Sequence, residues 1–367
     1  MTTHTATAPR GFASRNNLLT LAAMGVLLVL LFVFERNFDT FTMQIFKLCA
    51  INVILALSLN LINGFTGLFS LGHAGFMAVG AYTCAILTMS PAQKSMNYVL
   101  QPIVPWLANI HLPFVPALLL AGVVAGLLGW LLGFIALRLR DDYLAIATLG
   151  FSEIIRVILT NLQSITNGAL GLKGLPRFTT MWWAWGAAVA CTVFMVLLIR
   201  STYGRSFKAI RDNEIAAEAM GINIFGMKVL SFSISSAMAG IAGALLAHHL
   251  TTIDPKQFIF LKTFDILLIV VLGGVGSITG SVIAAIVVTV SMEALRFLDG
   301  PLNLGFLTTS GTPGLRMVFF SVLLMVVIIF RQRGLMGTHE FSWDSLAKIG
   351  LLPKRKAPND SSEGAQS

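Results

Sequence analysis

The stretch Asn60–Gly80, NLINGFTGLFSLGHAGFMAVG, decides how this chain folds. It is apolar enough to sit at membrane depth. It nevertheless carries Gly64, Gly67, Gly72, Gly75 and Gly80 together with Asn60, Asn63, Thr66, Ser70 and His73. A glycine in a helix interior costs about 1 kcal/mol against alanine. Irregular backbone survives in a bilayer only where protein buries it or where it lines a wet cavity. A plain lipid-facing helix needs none of these residues, so two readings stand. Interrupted helices aim N–H and C=O ends at polar solutes, which makes Asn63, Ser70 and His73 candidates for a solute path. Small residues also let helices pack closely, which would make the same stretch an internal seam. His73 alone reads more simply as a satisfied interior histidine.

The surroundings fix the class. The chain has 367 residues, 56% hydrophobic and only 11% charged, whereas soluble domains average about a quarter charged. Apolar runs of the length that crosses a bilayer, about 20 residues, lie at 17–34, 41–62, 67–89, 114–137, 143–160, 182–199, 229–250, 263–275, 278–298 and 315–330. The expected fold is an all-α polytopic membrane protein of about ten segments, broken or re-entrant at its Gly-rich stretches, with both termini cytoplasmic. A soluble enzyme, a disordered chain and a fibre are excluded. The first run reads as an uncleaved span, because Glu35-Arg36 follows it without a small-residue cleavage site. Residues 1–337 read as one membrane domain, and 338–367, polar and interrupted by Pro353 and Pro358, as a flexible cytoplasmic tail. The outer loop 90–113, with Pro91, Pro102, Pro105 and Pro113, is expected to pack as a cap.

The net charge is +9. With both termini inside, most of the 25 lysines and arginines fall on inner segments, the positive-inside pattern. Reading 263–298 as one span would carry Lys354-Arg355-Lys356 to the wrong face, so two segments or a re-entrant loop are favoured there. The basic residues are spread between apolar runs rather than gathered in one patch, which speaks for membrane orientation and against nucleic acid. No H-E-x-x-H or CxxC string occurs, so no metal site is expected. No G-x-x-x-x-G-K-[ST] string occurs either, so no ATP site is expected on this chain.

Three more stretches break the plain-helix rule. In 139–156, LRDDYLAIATLGFSEIIR, Glu153 and Arg156 stand i, i+3 on one helix face and are expected to form a buried ion pair. Thr148, on the same run, joins the candidates for a solute path. In 272–280, LGGVGSITG, glycines again imply a turn or a tight crossing, giving one glycine break in each half of the chain. The cytoplasmic loop 200–228 contains YGRSFKAIRDNEIAAEAMGI (203–222), where Asp212 or Asn213 can cap a short helix over 214–220 that Gly221 stops. Such a helix is either a solvated surface element or a docking element for a cytoplasmic partner.

These strings, with FRQRGLMG at 330–337, resemble over about residues 45–337 the LivM-type permease subunits of branched-chain amino-acid ABC importers. The resemblance implies that the 204–221 loop is an EAA-type coupling loop, with Arg205, Arg211, Glu214, Ala216, Ala217 and Gly221 as its working residues. The sequence departs from that pattern at Ile215, where glutamate is expected, with Glu214 one residue early, and at Asp141, where glycine is usual. The resemblance further implies an inner-membrane subunit with no cofactor of its own, ATP being bound by separate cytoplasmic subunits. Its implied partners are a second related permease subunit, an extracytoplasmic solute-binding protein and membrane lipid. Urea, short amides or other amino acids are alternative cargoes. An ion-coupled secondary carrier, using Glu153, Asp265 or Glu293, is the alternative of another class.

Overall fold

The computed structural model describes residues 33, 35–138 and 141–299 and scattered positions from 302 to 337. The expected first span at 17–34, but for Val33, and the tail 338–367 lie outside them. All elements named below belong to the unit Phe38–His339.

The first helix, α1 (Thr40–Asn60), is buried from Cys49 to its end except at half-buried Asn52, and there its apolar residues face every side, as in a helix surrounded by protein. It runs into a widened turn of π type over Leu61–Thr66, closed by Gly67 in the left-handed region at φ 78°. Residues 67–72 form neither helix nor strand, and α2 begins only at His73, running to Thr88. The expected span at 67–89 is thus corrected at its start, because a left-handed residue cannot continue a helix. Two short helices follow, α3 (Pro91–Asn97) and α4 (Pro105–Ala108). The next two are long, α5 (Phe114–Ala136) and α6 (Asp141–Asn161). After α7 (Gln163–Thr166) comes α8 (Met181–Arg200), capped by the Thr180 hydroxyl. The loop region holds α9 (Thr202–Asp212) and α10 (Glu214–Ala219). Then come α11 (Ile224–Leu250), α12 (Phe260–Gly273) and α13 (Ile278–Ala294).

The region 263–298 is therefore two helices, not one. Gly274 (φ 112°) and Gly276 (φ 84°) form the turn, and the Ser277 hydroxyl caps α13 by accepting from Gly280 N–H at 3.0 Å. At the other end of the expected list, the described positions Leu315, Val318, Val322, Met325 and Ile329 form one exposed stripe at helical spacing.

Helices α1, α2 and α11 make the interior, and α5 closes against α11 through small residues. The tightest crossing is between α2 and α11. A Cβ at Gly80 would fall on the backbone of Gly240, and one at Gly240 would meet Ala125 of α5. Such approach lets van der Waals contact replace the hydrophobic drive that lipid removes. By contrast α5, α6 and α8 show broad apolar outer faces, such as Leu119, Val123, Leu127 and Trp130 of α5, suited to lipid or another membrane helix.

The loop 90–113 does form a cap, at the end of the bundle opposite α9 and α10. Its anchor is unexpected: Lys94 is fully buried and its ammonium donates to the carbonyls of Leu107 (2.8 Å) and Ile110 (2.6 Å). Burial pushes the Lys94 pKa below its ordinary value. Tyr98 O–H donates to the Ile165 carbonyl, and Asn97 exchanges hydrogen bonds with the backbone of Lys173 at 2.9 and 2.8 Å. A two-residue antiparallel pair, β1 (Leu172–Lys173) with β2 (Thr252–Ile253), ties the same layer to the end of α11. Replacing Lys94 with methionine keeps the stem but strips two carbonyls of a charged donor, a loss of about 1.5–3 kcal/mol per bond offset by the relieved desolvation of the ammonium. The expected net result is local: amide exchange over 98–112 rises about tenfold, as about 1.4 kcal/mol implies, with the core helices unchanged. Unaltered exchange in that segment would show that the lysine is not the anchor.

Candidate functional site

The two glycine breaks meet. Asn60, the last residue of α1, accepts at Oδ1 from Gly276 N–H (2.8 Å) and donates from Nδ2 to the Ser277 carbonyl (2.9 Å) and to Ser281 Oγ (2.8 Å). It is fully buried. One carboxamide thus pins the π turn of the first break to the turn of the second. Sequence reasoning quoted Asn60 but gave it no role. Its signal was an asparagine immediately before a glycine break.

The segment 334–336 packs on the same joint. Leu335 N–H donates to the Leu272 carbonyl (2.7 Å) and Met336 N–H to that of Gly273 (3.3 Å). The last carbonyls of α12, which have no partner within their own helix, are met in this way.

The loop helices reach the joint through Arg211. Its Nη1 donates to the Gly64 carbonyl at 3.2 Å, and its Nε and Nη2 lie 3.0 and 2.9 Å from Asp212 Oδ1. Phe207 and Ile210 bury the inner face of α9, and the Lys208 ammonium lies 5.8 Å above the Phe65 ring. Asn213 caps α10 as expected, its Oδ1 accepting from Ala216 N–H at 3.0 Å. Gly221 ends the helix at φ 80°, a conformation that favours glycine. Ala217 is buried, and Glu214 pairs with Lys228 of α11. Arg205 does not enter the joint; it is exposed and bonds Thr202 within its own helix at 3.1 Å. Apart from Ala217, α10 is exposed, and two large apolar side chains stand out from it: Ile215 and, just past its end, Met220 are 81% and 83% exposed.

The residues picked for a solute path gather around the first break. Asn63 Oδ1 accepts from Ser70 N–H (3.3 Å), and Ser70 Oγ accepts from Gly72 N–H (3.4 Å). Thr148 Oγ1 accepts from Leu71 N–H (3.0 Å), holding α6 against the broken segment. Each of these side chains satisfies backbone that the missing helical turn leaves open. A crevice beside them, lined by Gly72, Phe76, Thr148, Phe151 and Ser152, has no room for a water molecule.

His73 stands deeper. Its Nε2 lies 2.8 Å from Ser58 Oγ and 3.5 Å from Ser235 Oγ. Both hydroxyls donate to carbonyls, of Leu55 and Ser58, so the ring proton falls on Nε2. Nδ1 is buried without a hydrogen-bond partner among the described residues. The histidine therefore joins α1, α2 and α11 from inside.

Glu153 and Arg156 do pair, at 2.7 Å, but the expectation of a buried pair is corrected. Their side chains are 29% and 30% exposed, because α6 packs on the bundle by one face and the pair lies on its flank. The side chain of Asp141 lies outside the described residues.

Residues 41–328 match the family model described as branched-chain amino acid transport system / permease component. The high-affinity branched-chain amino acid transport system permease protein LivM of Escherichia coli is 32% identical over 329 residues, covering 80% of this chain and 70% of that protein. The probable LivM of Methanocaldococcus jannaschii is 26% identical over 311 residues, covering 77% and 89%. LivH of Escherichia coli, also a high-affinity branched-chain amino acid permease protein, is 24% identical over 332 residues, covering 83% and 98%. No solved structure gives a significant match. A family match over most of the chain, five family-like strings in order, and four of those strings meeting at one joint lead to one conclusion: the chain belongs to the branched-chain amino acid transport permease family.

Proposed function

We propose that this chain is a multi-pass inner-membrane subunit of an ATP-driven importer of branched-chain amino acids. Separate ATP-binding subunits grip α10 from the cytoplasm, a second related permease subunit completes the membrane part, and an extracytoplasmic binding protein delivers the solute. Arg205, Arg211, Glu214, Ala216, Ala217 and Gly221 belong to the coupling loop. The broken segment holding Asn63, Ser70 and Thr148, with His73 behind it, borders the path.

One observation carries the reading. Ile215 on α10 and Met220, the residue that follows its end, stand almost fully exposed, while Ala217 and the Glu214–Lys228 pair fasten the helix to the bundle. A solvated surface helix gains nothing from two large apolar side chains, whereas a helix seated in a partner's groove uses them as anchors. This also supplies a role for the departure at 215: the contact is apolar where the family pattern has a carboxylate.

The test is co-purification from cells expressing the chain together with candidate ATP-binding subunits and a candidate second permease subunit. Wild-type chain retains the ATP-binding subunits. The double variant Ile215→Glu, Met220→Glu loses them by at least about thirtyfold, the effect of removing a hot spot worth about 2 kcal/mol, with its melting midpoint unchanged. Full retention by the double variant overturns the docking role. Proteoliposomes holding the complex then take up leucine in competition with isoleucine and valine, and not with urea or acetamide. Leucine uptake by the purified chain alone, driven by an ion gradient, would overturn the whole reading in favour of a secondary carrier.

A further inference from the structure

The cytoplasmic helix pair touches the two glycine breaks through one side chain, and the breaks are shaped to receive it. The stem of Arg211 lies over Gly67, where an added Cβ would stand 2.9 Å from its Cγ. Its Nη1 lies against Gly276, where an added Cβ would stand 3.1 Å away, while it donates to the carbonyl of Gly64. Gly67 and Gly276 both have positive φ, 78° and 84°. The guanidinium thus sits where residues 64–67 of the first break meet residue 276 of the second, at the joint that Asn60 pins from the other side. Asp212, bonded at the same guanidinium, holds the fork from the solvent side.

We propose that Arg211 is a positioning residue that latches both glycine breaks to the coupling helices, so that a displacement of α9 and α10 moves the two breaks as one body. The inference rests on the coupling role proposed for α10 and adds the route by which its motion enters the bundle. The Glu214–Lys228 pair carries the same displacement to α11 only. Arg211 carries it to the broken backbone, where a sub-ångström shift can change which carbonyls are satisfied. A charged donor on a backbone carbonyl is among the stronger single hydrogen bonds available, and a planar fork holds its geometry better than an ammonium does.

Two measurements test this on the full chain. Hydrogen–deuterium exchange of the detergent-solubilised protein reports the latch. In Arg211→Gln the amides of 64–68 and of 274–277 exchange at least about tenfold faster, within the range of ordinary coupling free energies. Arg211→Lys, which keeps a charged donor near the Gly64 carbonyl, restores at least part of the protection, and α5 and α11 are unchanged in both. Exchange at either break that stays at the wild-type level in Arg211→Gln overturns the latch. The reconstituted complex with binding protein and leucine reports transmission. In the complex that forms, leucine moved per ATP hydrolysed falls about tenfold in Arg211→Gln and less in Arg211→Lys. An unchanged ratio of leucine to ATP overturns transmission. A wild-type complex that neither holds ATP-binding subunits nor moves leucine defeats the proposed function instead, and the exchange experiment still decides whether Arg211 binds the breaks together.

Discussion

Replacing Gly80 with valine is expected to abolish assembly of the bundle. At this position α2 and α11 approach until backbone lies on backbone: the space a Cβ needs is taken by the carbonyl and Cα of Gly240. Gly240 cannot retreat, because its own open side is filled by Ala125 of α5, and three residues further on Gly243 meets the Met77 backbone in the same way. Separating α2 from α11 by a side chain would also pull His73 from Ser235. Overpacking a core usually costs about 1–3 kcal/mol because flexible neighbours move. Here the obstruction is backbone on both sides, so the loss is expected to exceed about 4 kcal/mol, the range reserved for failures of this kind. The measurement is the melting midpoint and monodispersity of the detergent-solubilised protein. Gly150→Ala is the matching control: an added Cβ there meets nothing within 4 Å, so its midpoint should be equal to or slightly above that of the wild type. A Gly80→Val protein that melts with the wild type would show that the crossing is looser than described.

The second large effect is expected from Asn60→Leu. Leucine matches asparagine closely in length but can neither accept from Gly276 N–H nor donate to the Ser277 carbonyl and Ser281 Oγ. The last two have other partners: Ser281 Oγ donates to the Ser277 carbonyl at 2.9 Å, and that carbonyl also receives Ser281 N–H. The orphan is Gly276 N–H. An unsatisfied buried donor costs about 1–3 kcal/mol, while each hydrogen bond lost between membrane helices averages only about 0.6 kcal/mol. The sum is about 2–4 kcal/mol, large but survivable. The expected result is a folded protein with a lowered midpoint whose leucine uptake falls by more than the midpoint alone explains, because the breaks no longer move together. Asn60→Asp keeps the acceptor for Gly276 and should fall between. Wild-type uptake by Asn60→Leu would exclude the joint from the transport cycle.

The helices were legible because burial in lipid demands long apolar runs. The spans at 114–137, 143–160 and 182–199 match α5, α6 and α8 closely at both ends. Boundaries went astray where one residue overrides a run: Gly67 turns left-handed and delays α2 to His73, and Asn223 caps α11, accepting from Gly226 N–H at 3.0 Å, earlier than its hydropathy indicates. The site was half legible. Composition marked both glycine breaks, but nothing in one dimension says that residue 60 bonds residue 276, and a buried lysine at 94 contradicts the average behaviour of its type. The ion pair of Glu153 and Arg156 was readable from its i, i+3 spacing; that its helix hangs on the bundle by one face was not, because burial belongs to the neighbours.

The placement of His73 has a consequence for how the molecule is made. Helix α2 has only 16 residues, about 24 Å of rise against a hydrocarbon core of about 30 Å, and it carries an imidazole in its first turn. Its hydroxyl partner on α11, Ser235, follows it by 162 residues. At roughly 5–20 residues per second of synthesis, the ribosome delivers the second half of this clasp about 8–30 s after the first. Through that interval Ser58 of α1 is the hydroxyl at hand for the ring, so α2, unlike α1, which is long and apolar enough to span by itself, is expected to enter the membrane as one arm of an α1–α2 hairpin rather than alone.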